Sequence, residues 1–285
     1  MYLILILQQI LSSITHIVAK DVTTNIIPSS ILFYRSLIAA IFFFLIVKIR
    51  NNKIKVEKKD YLTFIILSIL NIPINQFLFL ISIKYTTAPN VALAYALSPI
   101  FVYIIAHFYL KEKSSYLKIT GIAIAIIGAF FLISEKGFSF RSTAFLGDIL
   151  ALSASLAWAL YTVLGKNVIN KYGAIYSAAI TMQLGFVLYL VIYLFLPEKS
   201  NPLSFTTFNW FDILYLGIFS SGVSYILWYY ALKKIQASKV SVFNNLQPIF
   251  TTILAIIFLN QSLTLTFVSG GLMILLGVVL TQTGK

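Results

Sequence analysis

The first long apolar run of the chain carries an unusual number of polar side chains. Gln9, Ser12, Ser13 and His16 fall on one face at helical spacing. Because polar groups buried in lipid are costly, we expect that face to point into the protein. His16 could bind a substrate or relay a proton, since imidazole titrates near neutral pH. A hydrogen bond between helices is the alternative role for this side chain.

A second polar cluster surrounds a proline, in the segment from Asn71 to Gln76. Inside a helix, Pro73 frees a backbone carbonyl and introduces a kink. Asn71 and Asn75 lie about one turn apart on such a helix. Polar backbone exposed at a break in a membrane helix is typical of ligand sites. The sequence therefore predicts that Asn71 and Asn75 line a cavity.

Two further prolines, Pro99 and Pro248, are each preceded by a polar side chain four residues earlier, Tyr95 and Asn244. A side chain at that spacing lies next to the carbonyl that the proline leaves unpaired. We predict a binding site there, and its candidate residues are Tyr95, Asn244, Asn245 and Gln247.

Aromatic side chains recur in two other apolar runs, as Trp158 with Tyr161 and as Tyr225 with Trp228. They could stack on a ligand or bind a cation through their ring faces. Packing in the core, or an aromatic belt at the membrane surface, is an equally good interpretation.

Arg35 is the one clear charge inside an apolar run. It could bind a carboxylate, although we favour a structural role in which it snorkels or caps backbone carbonyls. Glu112, Asp148 and Asp212 fall near the ends of apolar runs. This placement disfavours proton coupling through a carboxylate and favours neutral or zwitterionic ligands. If protons are coupled, His16 is the remaining candidate.

The chain shows no catalytic constellation. It has no cysteine, which excludes disulfides and thiol chemistry, and it has two distant histidines and no paired carboxylates inside an apolar run. A membrane enzyme acting on lipid is therefore disfavoured, and we expect no cofactor and no metal.

The composition of the chain indicates that these residues lie in a membrane protein. The chain has 285 residues, 60% apolar and 10% charged, with a mean hydropathy of +0.94. A soluble surface cannot be built from so few charges. We predict an all-α polytopic membrane protein with ten transmembrane helices, labelled α1 to α10, because ten runs are long enough to span a bilayer. They cover about Tyr2–Ala19, Ser29–Val47, Tyr61–Ile83, Ala88–Tyr109, Lys118–Ile133, Leu146–Gly165, Ile175–Leu196, Trp210–Leu232, Ala237–Leu259 and Leu265–Thr281.

The distribution of the basic residues that produce the net charge of +13 predicts which loops lie in the cytoplasm. With the N-terminus in the cytoplasm, fifteen Lys and Arg residues fall on the cytoplasmic side and five on the other, and Arg35 lies within the membrane. This bias follows the positive-inside rule and predicts that both termini are cytoplasmic. The basic stretch from Lys48 to Lys59 is explained by topology and anionic lipid, so we expect no nucleic-acid partner.

The chain is an internal duplication. A shift of 149 residues aligns 84–133 with 233–282 without a gap, with 12 of 50 positions identical, including Pro99 with Pro248 and Gly121 with Gly270. The predicted repeats cover residues 1–137 and 138–285. Because five helices is an odd number, the second repeat is inverted in the membrane. Inverted repeats are typical of transporters that work by alternating access.

With these features the chain resembles the EamA-type ten-helix members of the drug/metabolite transporter superfamily. The matching motifs are Phe33-Tyr34-Arg35-Ser36-Leu37, Leu97-Ser98-Pro99-Ile100-Phe101, Leu110-Lys111-Glu112 and Leu246-Gln247-Pro248-Ile249-Phe250. The resemblance implies a cavity lined by α1, α3, α4, α6, α8 and α9 that moves small metabolites such as amino acids, usually across a bacterial inner membrane. It leaves open a monomer or a homodimer, and export of amphiphilic drugs as an alternative.

The chain departs from the family pattern at three positions. Gln261 stands where a glutamate is expected after α9, Gln183 is the counterpart of Arg35, and Ser12 occupies a position in α1 that is commonly aromatic. The substrate therefore cannot be copied from a relative.

Overall fold

The computed structural model describes residues 1–51, 54–134, 143–259 and 265–284, and over this part of the chain it forms ten helical rods. Their apolar sequences and sparse charges make them transmembrane helices, which confirms the predicted all-α fold. The bounds are Tyr2–Asn25, Pro28–Arg50, Lys58–Tyr85, Ala88–Tyr109, Tyr116–Ser134, Thr143–Tyr172, Ala174–Phe195, Thr207–Lys234, 237–259 and Leu265–Thr283 for α1 to α10.

Within the described ranges, seven of these rods are long and apolar enough to cross a bilayer by themselves. The apolar parts of α5 and α10 are shorter, at Tyr116–Gly128 and Val268–Thr283. Several helices run past the predicted ends: α1 continues to Asn25 and α6 to Tyr172. Lys166 and Lys171 therefore lie on a helix and not in a loop, because the helix continues beyond its apolar stretch. Lys53, Lys136, Arg141, Gln261 and Lys285 lie outside the described residues.

Two lysines make equivalent contacts in the two halves. Lys20 of α1 donates to the carbonyl oxygens of Ile83 and Thr86 at the end of α3, both at 2.8 Å. Lys166 of α6 donates to the carbonyl oxygens of Leu232, at 2.7 Å, and Ile235 at the end of α8. The acceptors are 149 residues apart, which is the repeat offset found in the sequence. Each ammonium group satisfies orphan carbonyls at the negative end of a helix dipole.

The glycines of the repeat bring α5 and α10 together. A Cβ atom on Gly128 would lie 2.7 Å from the carbonyl oxygen of Gly270, and one on Gly277 would lie 2.5 Å from that of Gly121. The backbones are therefore in direct contact, as in small-residue packing between membrane helices. The contact joins the last helix of each half.

Carboxylates of each half accept hydrogen bonds from residues near a helix start of the other. Glu112 of the first half accepts hydrogen bonds from the backbone N–H of Ala237, at 2.7 Å, and of Ser238, at the start of α9. Asp148 of the second half accepts from Thr86 Oγ1 at 2.7 Å and Asn90 Nδ2 at 3.2 Å, near the start of α4. These contacts fix the entry of α4 and α9 into the bundle.

A further polar contact joins α6 to the segment before α3. Lys171 Nζ lies 2.8 Å from a Glu57 carboxylate oxygen and 2.6 Å from one of Asp60. Hydrogen bonds from Lys171 and Lys59 hold the pKa of the exposed Glu57 below its ordinary value. The cluster connects the two repeats at the end of α6.

Four helices lose regular α geometry near the middle of the bundle. In α3 the segment Leu70–Gln76 around Pro73 is π-helical, and α8 is π-helical over Leu216–Val223. In α4 the helix is interrupted at Leu97, and α9 is 3₁₀-helical over Val242–Asn245. Such mid-helix irregularities frequently mark functional sites and hinges.

Candidate functional site

A polar cavity lies where these irregular segments meet. Its volume is about 70 Å³, which is the liquid volume of roughly two waters. Its walls come from α1 to α4 of the first half and from α6, α8 and α9 of the second. The lining residues are Gln8, Ser12, Thr15, His16, Arg35, Asn75, Gln76, Phe79, Tyr95, Trp158, Ser220, Ser224, Tyr225 and Gln247.

The polar face of α1 is the centre of a hydrogen-bond network between the halves. Gln9 Nε2 donates to Asn244 Oδ1 at 3.1 Å, and Gln247 Nε2 donates to Gln9 Oε1 at 2.9 Å. Asn244 Nδ2 in turn donates to Ser98 Oγ in α4 at 2.6 Å. Because these side chains are buried, their mutual bonds fix the register of α1 against α9. The network sets the position of Gln247 at the cavity wall.

The π-helical segment of α3 supplies a second polar wall. Asn75 Nδ2 donates to Tyr95 OH and to the Ala154 carbonyl oxygen, both at 2.7 Å. Gln76 Nε2 donates to Asn71 Oδ1 at 3.0 Å. Asn75 and Gln76 line the cavity, whereas Asn71 is fully buried behind them.

Arg35 belongs to the cavity wall, so the preference for a snorkelling or carbonyl-capping role is wrong. The side chain is 2% exposed. Its Nη2 donates to Ser220 Oγ at 3.1 Å and Ser221 Oγ at 2.8 Å, in the π-helical segment of α8. Its Nη1 has no partner among the described residues. The guanidinium is held by hydroxyl groups beside the cavity.

The aromatic candidates form one cluster, of which part faces the cavity. Trp158 lies 5.3 Å from Tyr225 between ring centroids, in an edge-to-face arrangement, and both rings line the cavity. Tyr161 and Trp228 are fully buried behind them. Their polar atoms bond within the core, from Tyr161 OH to Thr181 Oγ1 at 3.0 Å and from Trp228 Nε1 to Thr162 Oγ1 at 3.1 Å.

The eleven candidates from the sequence thus divide into two groups. Six of them lie in the cavity wall: His16, Asn75, Tyr95, Trp158, Tyr225 and Gln247. Five are buried outside that wall: Asn71, Tyr161, Trp228, Asn244 and Asn245. Asn245 differs from the other four because neither polar atom of its side chain has a partner in the described part of the chain.

The sequence prediction missed several wall residues. Gln8, Gln76, Ser220 and Ser224 line the cavity. The Ser-Ser-Gly run at residues 220–222, inside an otherwise apolar stretch, was an available signal. It indicates polar and small groups at mid-helix, and it lies opposite the guanidinium of Arg35.

The site offers hydrogen-bonding groups and one cation, and no metal-binding cluster. Groups of three or more metal-ligating His, Cys, Asp or Glu side chains are absent from the described ranges. Within those ranges no acidic side chain lines the cavity either. The arrangement can therefore bind a small polar molecule.

Comparison with known proteins agrees with this architecture. The family model described as the EamA-like transporter family matches residues 1–134 and 145–283. The uncharacterized transporter YyaM of Bacillus subtilis is 29% identical over 289 residues, covering 99% of this chain and 93% of that protein. An uncharacterized transporter of Methanothermobacter thermautotrophicus is 28% identical over 301 residues, covering 100% of this chain and 87% of that protein.

A solved crystal structure has the same fold, with a TM-score of 0.80 over 98% of this chain and 94% of the other, at 16% identity. The family consists of transporters and not of enzymes, which confirms the expectation that the chain does not catalyse a reaction. Two family-model matches that together cover nearly the whole chain also support the predicted pair of inverted repeats. The chain is therefore a multi-pass membrane transporter that belongs to the EamA-like transporter family.

Proposed function

We propose that this transporter moves small neutral or zwitterionic metabolites, amino acids or molecules of similar size, by alternating access. The observation that carries the proposal is the cavity at the meeting point of the two halves, whose wall includes His16 and Tyr95 from the first and Trp158 and Gln247 from the second. Inverted repeats typically bind substrate at their interface near mid-membrane.

The dimensions and chemistry of the cavity support a small polar substrate. Its volume of about 70 Å³ accommodates few non-hydrogen atoms, whereas sites for drug-sized ligands are far larger. Amide and hydroxyl groups from Gln8, Ser12, Asn75 and Ser224 line it. Export of amphiphilic drugs, the alternative, would need a larger site.

The irregular helices supply hinges for alternating access. The π-helical segments of α3 and α8 supply residues of the cavity wall, and the interruption of α4 at Leu97 and the 3₁₀ segment of α9 lie within two residues of the wall residues Tyr95 and Gln247. Helices with such breaks bend more easily than regular ones. The moving units are the repeats at residues 1–137 and 138–285, and they rock about the fixed site.

The charge pattern supports an orientation for this motion. Fifteen basic residues on one side against five on the other favour cytoplasmic termini. Membership of the family favours a bacterial inner membrane as the setting. His16 is the candidate for any proton coupling, because it lines the cavity and its imidazole Nε2, which can take up a proton, has no partner among the described residues. The oligomeric states we propose are a monomer or a homodimer.

The test is uptake of the twenty radiolabelled amino acids into proteoliposomes, with and without a proton gradient. The wild-type protein is expected to give substrate-dependent flux, and Asn244→Ala is expected to reduce it because it frees Gln9 and Ser98. Asn25→Ala, at the exposed end of α1, is the matched control. An absence of flux across the panel contradicts the proposal, and a flux equal with and without the gradient excludes proton coupling.

A further inference from the structure

The charge of Arg35 is left without a counter-ion in the structure. The three ion pairs found among the described residues involve Lys59 and Lys171 and not Arg35. The side chain is 2% exposed, and arginine stays protonated in proteins. The hydroxyl groups of Ser220 and Ser221 orient it and carry no charge. Burying a charge without an opposite charge is strongly unfavourable.

One nitrogen of the guanidinium has no hydrogen-bond partner among the described residues. Nε and Nη2 donate to the two serines, while Nη1 is buried and unpartnered in that part of the chain. Arg35 forms part of the cavity wall. The N–H groups of an unpartnered guanidinium nitrogen can donate charge-assisted hydrogen bonds to a carboxylate. This wall residue therefore carries one unpartnered cationic donor.

Two other residues of the same wall carry acceptor atoms that have no hydrogen-bond partner among the described residues. His16 Nδ1 lies 2.8 Å from the Ser12 carbonyl oxygen, which can only accept, so the proton of a neutral ring is on Nδ1. The unpartnered Nε2 then offers a lone pair. Gln247 donates through Nε2 to Gln9, which leaves its Oε1 without a partner in the described chain.

We propose that Arg35 binds the carboxylate of a zwitterionic substrate, and that His16 Nε2 and Gln247 Oε1 accept hydrogen bonds from its ammonium group. One unpartnered cationic donor and two unpartnered acceptors, all on residues that line a cavity of about 70 Å³, complement a molecule whose carboxylate and ammonium groups are attached to one carbon. The ring faces of Trp158 and Tyr225 in the wall add attraction for the ammonium group. The inference rests on the proposed function and narrows it, because it excludes substrates without an anionic group.

The test compares each amino acid with its α-carboxamide, which keeps the side chain and the ammonium group and removes the negative charge. Transport is measured in proteoliposomes for the twenty pairs. In the wild type, at least one acid is expected to be transported with an apparent affinity about 10- to 100-fold higher than its amide, the range for a hydrogen bond to a charged group. Arg35→Gln is expected to abolish this preference.

Two further variants complete the design. Arg50→Gln, at the exposed cytoplasmic end of the same helix, is the matched control and is expected to keep the wild-type preference. Arg35→Lys keeps the positive charge and loses the planar guanidinium that the two serines orient, so it is expected to retain a reduced preference for the acid. Gel filtration shows whether each variant is folded. If Arg35→Gln is not folded, the preference of Arg35→Lys for acids over amides is compared with that of the wild type, and this comparison decides whether Arg35 binds the carboxylate.

The outcomes separate this inference from the proposed function. Equal transport of acids and amides by the wild type overturns the role of Arg35 and leaves the transporter of small metabolites standing. An unchanged preference for acids in folded Arg35→Gln overturns it as well. An absence of flux for all forty compounds contradicts the proposed function, and the inference falls with it.

Discussion

Substitution of a single glycine tests the contact between α5 and α10. Gly277→Ala adds one Cβ atom that would lie 2.5 Å from the Gly121 carbonyl oxygen and 2.6 Å from the Ala125 backbone nitrogen. Ordinary contacts of a Cβ atom begin at about 3.4 Å. The two backbones must therefore move apart locally by about 0.9 Å, the difference between 3.4 and 2.5 Å.

The cost follows from the rigidity of the partner atoms. They belong to the backbone of α5, so no side chain can rotate out of the way. Overpacking of this kind costs about 1–3 kcal/mol, and dispersion contacts drive most association between membrane helices. We expect the midpoint of thermal unfolding in detergent to fall by roughly 2–10 °C.

Gly271→Ala is the matched control, because a Cβ atom at Gly271 meets nothing within 4 Å. The midpoint is measured by gel filtration of heated samples for both variants. We expect a clear loss for Gly277→Ala and a near-wild-type value for Gly271→Ala. Equal midpoints for the two variants would refute the close contact of α5 with α10.

Two other predictions concern the ends of the helices and their orientation. Lys166→Met removes two hydrogen bonds from the ammonium group to carbonyl oxygens at the end of α8, and Lys20→Met removes the two equivalent bonds at the end of α3. Each variant is expected to lower the free energy of unfolding by about 1–3 kcal/mol in a detergent unfolding assay. Wild-type stability of both variants would show that these lysine contacts do not stabilise the helix ends. A cysteine replacing Lys113 is expected to react with a membrane-impermeant maleimide from the cytoplasmic side, and one replacing Glu198 from the opposite side; labelling of both from one side would contradict the proposed topology.

Much of the architecture could be predicted from the residues. Apolar runs separated by basic loops indicated ten helices, and Pro99 with Pro248 and Gly121 with Gly270 revealed the duplication. Helix ends were predicted less well, because α6 continues to Tyr172 beyond its apolar stretch. Hydropathy detects the part of a helix that lies in lipid and is insensitive to a polar extension.

The candidate site could be predicted only in part. Helical spacing identified His16 and the proline identified Asn75, because both signals are local. The role of Arg35 depends on α8 becoming π-helical at Ser220 and Ser221, about 185 residues away, and nothing near Arg35 in the sequence indicates that contact. Asn244 illustrates the opposite case: it bonds to Gln9 and Ser98 behind the wall, and sequence alone cannot separate a buried network from a lining group.

Alternating access requires the cavity to open to each side of the membrane in turn. The chain has no cysteine, so Ser12→Cys places the sole thiol in the cavity wall. The measurement is its rate of reaction with a membrane-impermeant thiol reagent in right-side-out and in inverted vesicles. Ser153→Cys is the control, since Ser153 is exposed on α6, outside the cavity wall.

Alternating access predicts reaction of Ser12→Cys from both sides, slowed by a transported amino acid, with Ser153→Cys unreactive from either side. Reaction of Ser12→Cys from one side alone, or from neither, would contradict the account.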